Sequence, residues 1–412
     1  MNEIRSSREL GKRINRQLVL NLIKAGPTSR ALIAEETGLS PATVSNLTFE
    51  LIDEGLVHET GVVETTRGRP PVLLQLNSRA RYVVGVKVMP ASLVAVVTDL
   101  DANVVATRTH ETDEDDRSLG HTPEDLIERL ARLVEEVVER AEIGRTELLG
   151  VGIGLAGIID GTAGICRYSP FFGWRDVDLV SPLRDRLDLE VHLANDVDSL
   201  TIAEQWFGHG QGCSDVIVVT VGRGIGAGFV LNGRFYGGRA GGVGELAHVR
   251  VAPAGPECTC GGRGCLESLA SDVALIDAAT DAVAAGRATA LAEVERVSLE
   301  AIVAAADAGD ALARELLAES GRWLGTGVAT LLNLLNPQRV IVAGEGVEAG
   351  EWRLAPMRAA IEDLRFDAVG AETEIIVESA GDTTWARGAA CVVLGEFFKS
   401  PLHRNRPVAA GA

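Results

Sequence analysis

Residues 245 to 267 contain Glu245-Leu-Ala-His248 and, ten residues after the histidine, Cys258-Thr-Cys260-Gly-Gly-Arg-Gly-Cys265-Leu-Glu267. Three thiols and one imidazole in this span match a tetrahedral Zn²⁺ site, because thiolate and neutral imidazole are ligands this borderline-soft ion takes. Four protein ligands leave no open position for substrate, so such an ion is structural. Gly261, Gly262 and Gly264 let the backbone curl until Cys265 reaches the same ion as Cys258 and Cys260. Glu245 and Glu267 bracket the knuckle, so the metal would pin two carboxylates side by side. The competing reading is of ordinary buried thiols beside an unrelated histidine. Against it, half of the chain's six cysteines fall within eight positions.

At 412 residues the chain has room for two or three domains with real cores. Hydrophobic residues make up 46% of it, with 46 glycines and few aromatics, as in a soluble α/β protein. The start, Met-Asn-Glu-Ile-Arg-Ser-Ser-Arg, lacks the apolar run of a signal peptide. No uncharged apolar stretch is long enough to span a bilayer, so no membrane partner is expected. Cysteines clustered at metal spacing suit a reducing cytoplasm better than a disulfide framework. The net charge of −19 is uneven: residues 1–80 carry ten Lys/Arg against nine Asp/Glu, and the remainder 29 against 49. An acidic body with a neutral head holding basic clusters permits nucleic-acid binding by the head alone.

Within that head, Ile14, Leu18 and Leu22 recur at helical spacing, with Val19 and Ile23 widening the stripe. Gly26-Pro27 stops this helix, and Thr28 is the expected N-cap of a second that ends near Thr37-Gly38. Ser40-Pro41 supplies a capping hydroxyl and a first-turn proline for a third helix, with Val44, Leu47 and Leu51 inward and Gly55 closing it. Three such helices with a tight turn make a helix-turn-helix. The third would enter the major groove, so Ser40, Pro41, Ala42, Thr43, Ser45 and Asn46 are the candidate DNA contacts. Two β-like runs, 56–58 and 72–76, flank a segment with Arg67 and Arg69, read as a wing whose basic tip suits a minor groove. A small helical bundle for protein contacts is the alternative.

In the body, 82–89, 92–100 and 103–109 predict a three-stranded meander, followed by a helix at about 123–142 and a buried strand at 148–153. A second half opens with a strand at 216–221, a glycine-rich turn at 222–228 and a short strand at 229–231, and later brings a strand at 339–343. Two halves that each open on a glycine-turned hairpin suggest a duplicated α/β lobe with a cleft between. A strand at 189–193 ends on Asn195-Asp196, where α/β sheets usually bind ligands. That pair is either a site or simply a helix N-cap. With Glu245, His248 and Glu267 it supplies the acceptors and donor a polyhydroxylated ligand needs.

These motifs resemble the ROK family (repressors, open reading frames and sugar kinases) over nearly the whole chain. A winged helix-turn-helix ahead of such a body is similar to its xylose and N-acetylglucosamine repressor branch. The family's Glu-x-Gly-His element appears as Glu245-Leu246-Ala247-His248, with Ala for Gly, and its Cys-x-Cys-Gly-x-x-Gly-Cys-x-Glu element is complete from Cys258 to Glu267. Asn195-Asp196 matches the family's Asn-Asp pair, whose Asp is the base in kinase members. The resemblance implies an α/β, actin-like and hexokinase-like two-lobed body, with sugar held by Asn195, Asp196, Glu245, His248 and Glu267. It also implies zinc on His248, Cys258, Cys260 and Cys265, so His248 would serve both through its two ring nitrogens. The expected divisions are 1–80 for the head, 81–195 for the first lobe, 196–384 for the second lobe, and 400–412 as a disordered tail. A helix at about 385–399 is expected to pack back on the first lobe.

The chain departs from the kinases where they bind nucleotide. The Asp-x-Gly-Gly-Thr of the first hairpin is replaced by Gly85-Val86-Lys87-Val88-Met89-Pro90, with Lys87 at the Asp position and Met89 at a Gly. Arg223 stands where kinases usually carry Thr, and Glu345 interrupts a Gly-Gly-Gly element. Phosphoryl transfer needs metal and backbone donors preorganised around the phosphates. A non-enzyme is therefore expected: a sugar-responsive regulator of the repressor type, binding double-stranded operator DNA as a homodimer or homotetramer. The alternative is an ATP-dependent sugar kinase with an accessory DNA-binding head.

Overall fold

The computed structural model describes residues 2–62, 71–111, 122–239 and 241–399. The first helix, α1 (Asn2–Ala25), buries Val19, Leu20 and Ile23. A two-residue strand, β1 (Thr28–Ser29), leads into α2 (Arg30–Thr37) and α3 (Pro41–Asp53). Thr28 is not the cap expected of it. Thr28 pairs with Leu74, so Ser29 takes the cap and its hydroxyl accepts the Leu32 N–H at 3.3 Å. Gly38 ends α2 at φ 68°, and Ser40 Oγ accepts the Thr43 N–H at 3.2 Å with Pro41 in the first turn. Val44, Leu47 and Leu51 face inward. β2 (Val57–Val62) and β3 (Val72–Leu76) pair antiparallel as the sides of the wing. The segment joining them, with Arg67 and Arg69, lies outside the described residues, as does 400–412.

The first lobe opens with the expected meander: β4 (Tyr82–Val88), β5 (Ser92–Thr98) and β6 (Val104–Glu111). α4 (Pro123–Arg140) follows, its N-terminus capped by Thr122, and then β7 (Leu148–Leu155), which pairs parallel with β4. A small antiparallel sheet is built from β8 (Ile158–Asp160), β9 (Ile165–Ser169) and β10 (Trp174–Asp178). After α5 (Val180–Leu187), β11 (Val191–Asn195) pairs parallel with β7, two residues later than the apolar run suggested, and leads directly into α6 (Asp196–Phe207).

The second lobe repeats this plan with β12 (Val216–Val221), β13 (Ile225–Leu231) and β14 (Arg234–Phe235). The glycine-rich stretch is a turn only at 222–224; β13 has already begun at Ile225. Gly226 and Gly228 lie in the strand because α6 crosses it closely. A Cβ on Gly228 would stand 2.0 Å from Thr201 Oγ1, and one on Gly226 2.7 Å from Val197 Cγ2. The helices α7 (Glu267–Ala270), α8 (Asp272–Ala284), α9 (Leu299–Asp307) and α10 (Ala311–Leu335) precede β15 (Arg339–Ala343). α11 (Glu351–Leu364), β16 (Glu374–Glu378) and α12 (Asp382–Phe398) are the last elements among the described residues. From the meander edge the two large sheets run β6-β5-β4-β7-β11 and β14-β13-β12-β15-β16, with the same pattern of parallel and antiparallel neighbours. The duplicated, hexokinase-like body is thus the observed fold.

α12 returns to the first lobe. Gly85 on β4 and Gly152 on β7 are register partners, and Cβ atoms there would meet the carbonyl oxygens of Ala386 and Ala389 at 2.0 and 1.9 Å. The glycine pair is a groove in the sheet, filled by the small residues of α12. Forcing a methyl into such a contact typically costs about 1–3 kcal/mol or more. The head is not held by its connection alone. Val19, Leu20, Ile23 and Leu74 share one apolar core with Leu100, Ala203, Leu394 and Phe398 of the body. Among the described residues no helix is long and apolar enough to cross a membrane.

Candidate functional site

Between the lobes lies a cavity of about 680 Å³, lined by residues at the C-terminal ends of β4, β7, β11 and β12, where parallel strands present ligand-binding loops. Asn195, Asp196, Glu245, His248 and Glu267 all line it. Their roles differ. Asn195 is the N-cap of α6: Oδ1 accepts the Val197 and Asp198 N–H groups at 2.8 and 3.2 Å, and Nδ2 donates to Gly157 O at 2.9 Å. The helix-cap reading therefore holds for Asn195, whose side-chain oxygen and one amide N–H are engaged by the backbone while the residue also lines the cavity. Asp196, the next residue, is turned into the cavity. Burial pushes its carboxyl above the usual range, opposed by the Lys87 ammonium. Behind it, Asp198 is pushed up to about 7, first by burial and then by the Asp196 and Glu245 charges.

The knuckle forms one wall. His248 Nδ1 stands 3.6 Å from Cys258 Sγ, Cys260 Sγ stands 3.7 Å from Cys265 Sγ, and all four donor atoms lie within 4.8 Å of one another. A tetrahedron with zinc–sulfur bonds of about 2.3 Å has edges of roughly 3.8 Å, so the spacing fits. The electrostatics fit as well. Cys265 is pushed up to about 12, first by burial and then by its neighbouring thiols, whereas the Gly262 amide chiefly holds Cys260 down. A cation is what would let all three ionise together. The other ring nitrogen, His248 Nε2, faces Glu245 Oε2 at 3.8 Å, and Glu267 Oε1 accepts from the Thr259 hydroxyl at 3.4 Å. The imidazole thus has one nitrogen toward the thiols and one toward the carboxylate on the cavity side.

Lys87, Met89, Arg223 and Glu345 also line this cavity. Lys87 Nζ pairs with Asp382 Oδ1 at 3.0 Å and lies 4.6 Å from the centre of the Trp385 ring. Glu345 Oε1 accepts the Arg223 N–H at 3.2 Å, and its carboxyl carbon would be 2.3 Å from a Cβ placed on Gly222. The Arg223 guanidinium lies over Phe171, 5.7 Å from its centre. Asp382 and Trp385 escaped the sequence reading because nothing local says that α12 begins at the cleft.

On the head, Pro41, Ala42 and Asn46 are exposed on α3, Thr43 and Ser45 are half-buried, and Ser40 Oγ is shared with Thr43. One residue on the same outward stripe was missed. Phe49 follows Ala42 by seven and Asn46 by three, and it is 62% exposed with Arg30 5.2 Å from its ring centre. Its helical spacing was the available signal, overlooked because a Phe in a helix normally points inward.

A family model described as the ROK family matches residues 84–396, and one described as winged helix-turn-helix DNA-binding matches residues 12–58. The N-acetylglucosamine repressor of Escherichia coli is 32% identical over 386 residues, covering 93% of each chain. The xylose repressor of Caldicellulosiruptor bescii is 32% identical over 394 residues, covering 95% of this chain and 98% of its own. Among solved structures, a ROK family transcriptional regulator, homologue of the E. coli MLC protein, superposes with a TM-score of 0.83 at 31% identity, covering 96% of this chain and 98% of the other. A ROK family glucokinase from Streptomyces griseus, in complex with glucose and AMPPNP, gives a TM-score of 0.63 at 29% identity, covering 76% of this chain and 98% of its own.

Proposed function

The chain belongs to the ROK family, and from that premise we propose a sugar-responsive transcriptional regulator of the repressor type. The head binds operator DNA, and a sugar or sugar derivative in the interlobe cavity changes its affinity. The observation that carries this reading is the cavity itself. Asp196, Glu245, His248 and Glu267 line it together, and in the same cavity Lys87 is paired with Asp382 and Glu345 with the Arg223 backbone. A cavity whose own side chains form charged contacts at Lys87 and Glu345 supports a sensor over a kinase. The repressors named above bear on the same point.

Asp196, Glu245 and Glu267 would accept hydrogen bonds from the sugar hydroxyls, and Asn195 would both set the start of α6 and offer its second amide N–H to the ligand. His248, Cys258, Cys260 and Cys265 would hold a structural Zn²⁺, whose closed shell supplies rigidity to the wall bearing both glutamates. Ala42, Asn46 and Phe49 on α3 would face base edges in the major groove, the aromatic ring suiting a thymine methyl, with Ser40, Pro41, Thr43 and Ser45 nearer the backbone. Arg67 and Arg69 would reach the minor groove. A homodimer would present two such helices about 34 Å apart, so a small rotation of either head costs contacts.

The test is a footprint and binding titration on duplexes from the protein's own upstream DNA. It is repeated with N-acetylglucosamine, its 6-phosphate, glucose and xylose. Protection that one of these sugars relieves or strengthens is expected. Indifference to every duplex, or ATP-dependent phosphorylation of any of these sugars, overturns the reading.

A further inference from the structure

The cavity and the head are joined by two helices that each have one end in both places. α6 begins at Asp196 in the cavity and ends at Trp206 and Phe207. α12 begins at Asp382, the partner of Lys87, places Trp385 on the cavity wall, and ends at Phe398. At 1.5 Å per residue they run about 18 and about 25 Å. They are locked together where they cross: a Cβ on Gly388 would stand 2.9 Å from the Ser199 carbonyl, so backbone meets backbone. Motion of one carries the other.

Their far ends grip α1. Lys24 Nζ sits 3.3 Å from the centre of the Trp206 ring, 4.8 Å from that of Phe398 and 5.6 Å from that of Phe207. Asn21 Nδ2 donates to Phe398 O at 3.1 Å. Among the described residues no carboxylate forms an ion pair with Lys24; the ring faces lie directly against its ammonium, and Asp101 lines the same pocket. Burial pulls its ammonium down to about 8, opposed first by Cys391 and then by Asp101, so it remains charged at neutral pH. The only covalent link between head and body is the short segment 77–81, fixed by Leu100 N–H to Ser78 O at 2.9 Å. The head is thus tied to the body by this hinge, by the shared apolar core and by the Lys24 cage, and a shift at the far ends of α6 and α12 reaches α1 through the last two.

We propose that Lys24, caged by Trp206, Phe207 and Phe398, is a positioning residue through which α6 and α12 convert the state of the interlobe cavity into the angle of the DNA-reading head. This rests on the regulator reading above. The test uses the full chain, its upstream duplex, and whichever of N-acetylglucosamine, its 6-phosphate, glucose or xylose shifts the wild type. Lys24→Met keeps the length and apolar stem but removes the charge. It is expected to bind that sugar within about 2-fold of wild type while the sugar-induced change in operator affinity shrinks by about 5-fold or more. Lys24→Arg, which keeps a cation over the rings, restores the response. If Lys24→Met melts early, Trp206→Phe weakens the same cage and is read in the same way. A wild type that ignores the duplex or all four sugars overturns the regulator reading and the relay with it. A responsive wild type whose response survives both substitutions overturns the relay alone.

Discussion

Glu345 reaches back over Gly222 so that its carboxylate accepts the Arg223 N–H at 3.2 Å, the kind of backbone donor that phosphate oxygens seek. The chain supplies its own anion to the turn. Truncating that side chain frees the donor and removes a like charge. Glu345→Ala is therefore expected to bind Mg–AMPPNP at least about tenfold more tightly than wild type by calorimetry, a hydrogen bond to a charged group being worth about 1.5–3 kcal/mol. Equal affinity in both proteins would show that Glu345 is not what excludes the nucleotide.

The knuckle makes a separate prediction. Cys260 is the exposed thiol of the four ligands, so Cys260→Ser perturbs packing least. Elemental analysis should give one zinc per wild-type chain and markedly less for the variant. Thermal melting should fall with it, since a structural site contributes on the order of 10 kcal/mol to local folding. Unchanged metal content refutes the assignment.

Asp198 is 9% exposed and its carboxyl is pushed up to about 7. A folded-state value above that of the unfolded chain means the folded protein holds the proton more tightly, so stability falls as pH rises from about 4 to about 7. Asp198→Asn removes that penalty. Urea unfolding from pH 4 to 8 should show the variant gaining on wild type through this window, by on the order of 4 kcal/mol, with the gap level above it. A gap independent of pH would mean that ionising Asp198 costs nothing.

Arg353 is fully buried, with its guanidinium on Asp272 Oδ1 at 2.6 Å and on Gly346 O at 2.9 Å, while Nε and its other terminal nitrogen have no protein partner. Asp272→Ala strands that cation beneath the turn at Gly222, whose carbonyl accepts the Asp272 N–H. A loss of about 3–5 kcal/mol is expected in chemical denaturation. Replacing both residues with apolar ones should recover much of it.

On the head, Phe49→Ala should weaken operator binding most at sites where the ring meets a thymine, and replacing that thymine by uracil should mimic it. Arg69→Ala should weaken operator binding and flatten its salt dependence, since a cation in the minor groove also displaces counterions. An identical salt slope would mean that the wing does not touch DNA.

Local chemistry was legible where it is self-contained. Ser40-Pro41 and Gly38 mark helix ends by their own side chains or lack of one, and the Cys258–Cys265 spacing does bring three thiols together beside His248. Readings failed where a distant partner decides. Thr28 looks like a cap until Leu74 pairs with it, and Gly226 and Gly228 look like a turn until α6 lies across them. The site divided in the same way. Glu245, His248 and Glu267 follow from the motif, whereas Asp382, Trp385 and the Lys24–Trp206 contact follow only from the return of α12 and the docking of α1.

The groove formed by Gly85 and Gly152 is made early in the chain, but Ala386 and Ala389, which fill it, come after the whole second lobe. During synthesis that sheet must leave the ribosome with one face bare. It can be completed only when residues 382–398 have been translated. The nascent chain therefore waits, sticky, for α12, and a message cut short before codon 382 should yield a protein caught by chaperones or proteases rather than a smaller working one.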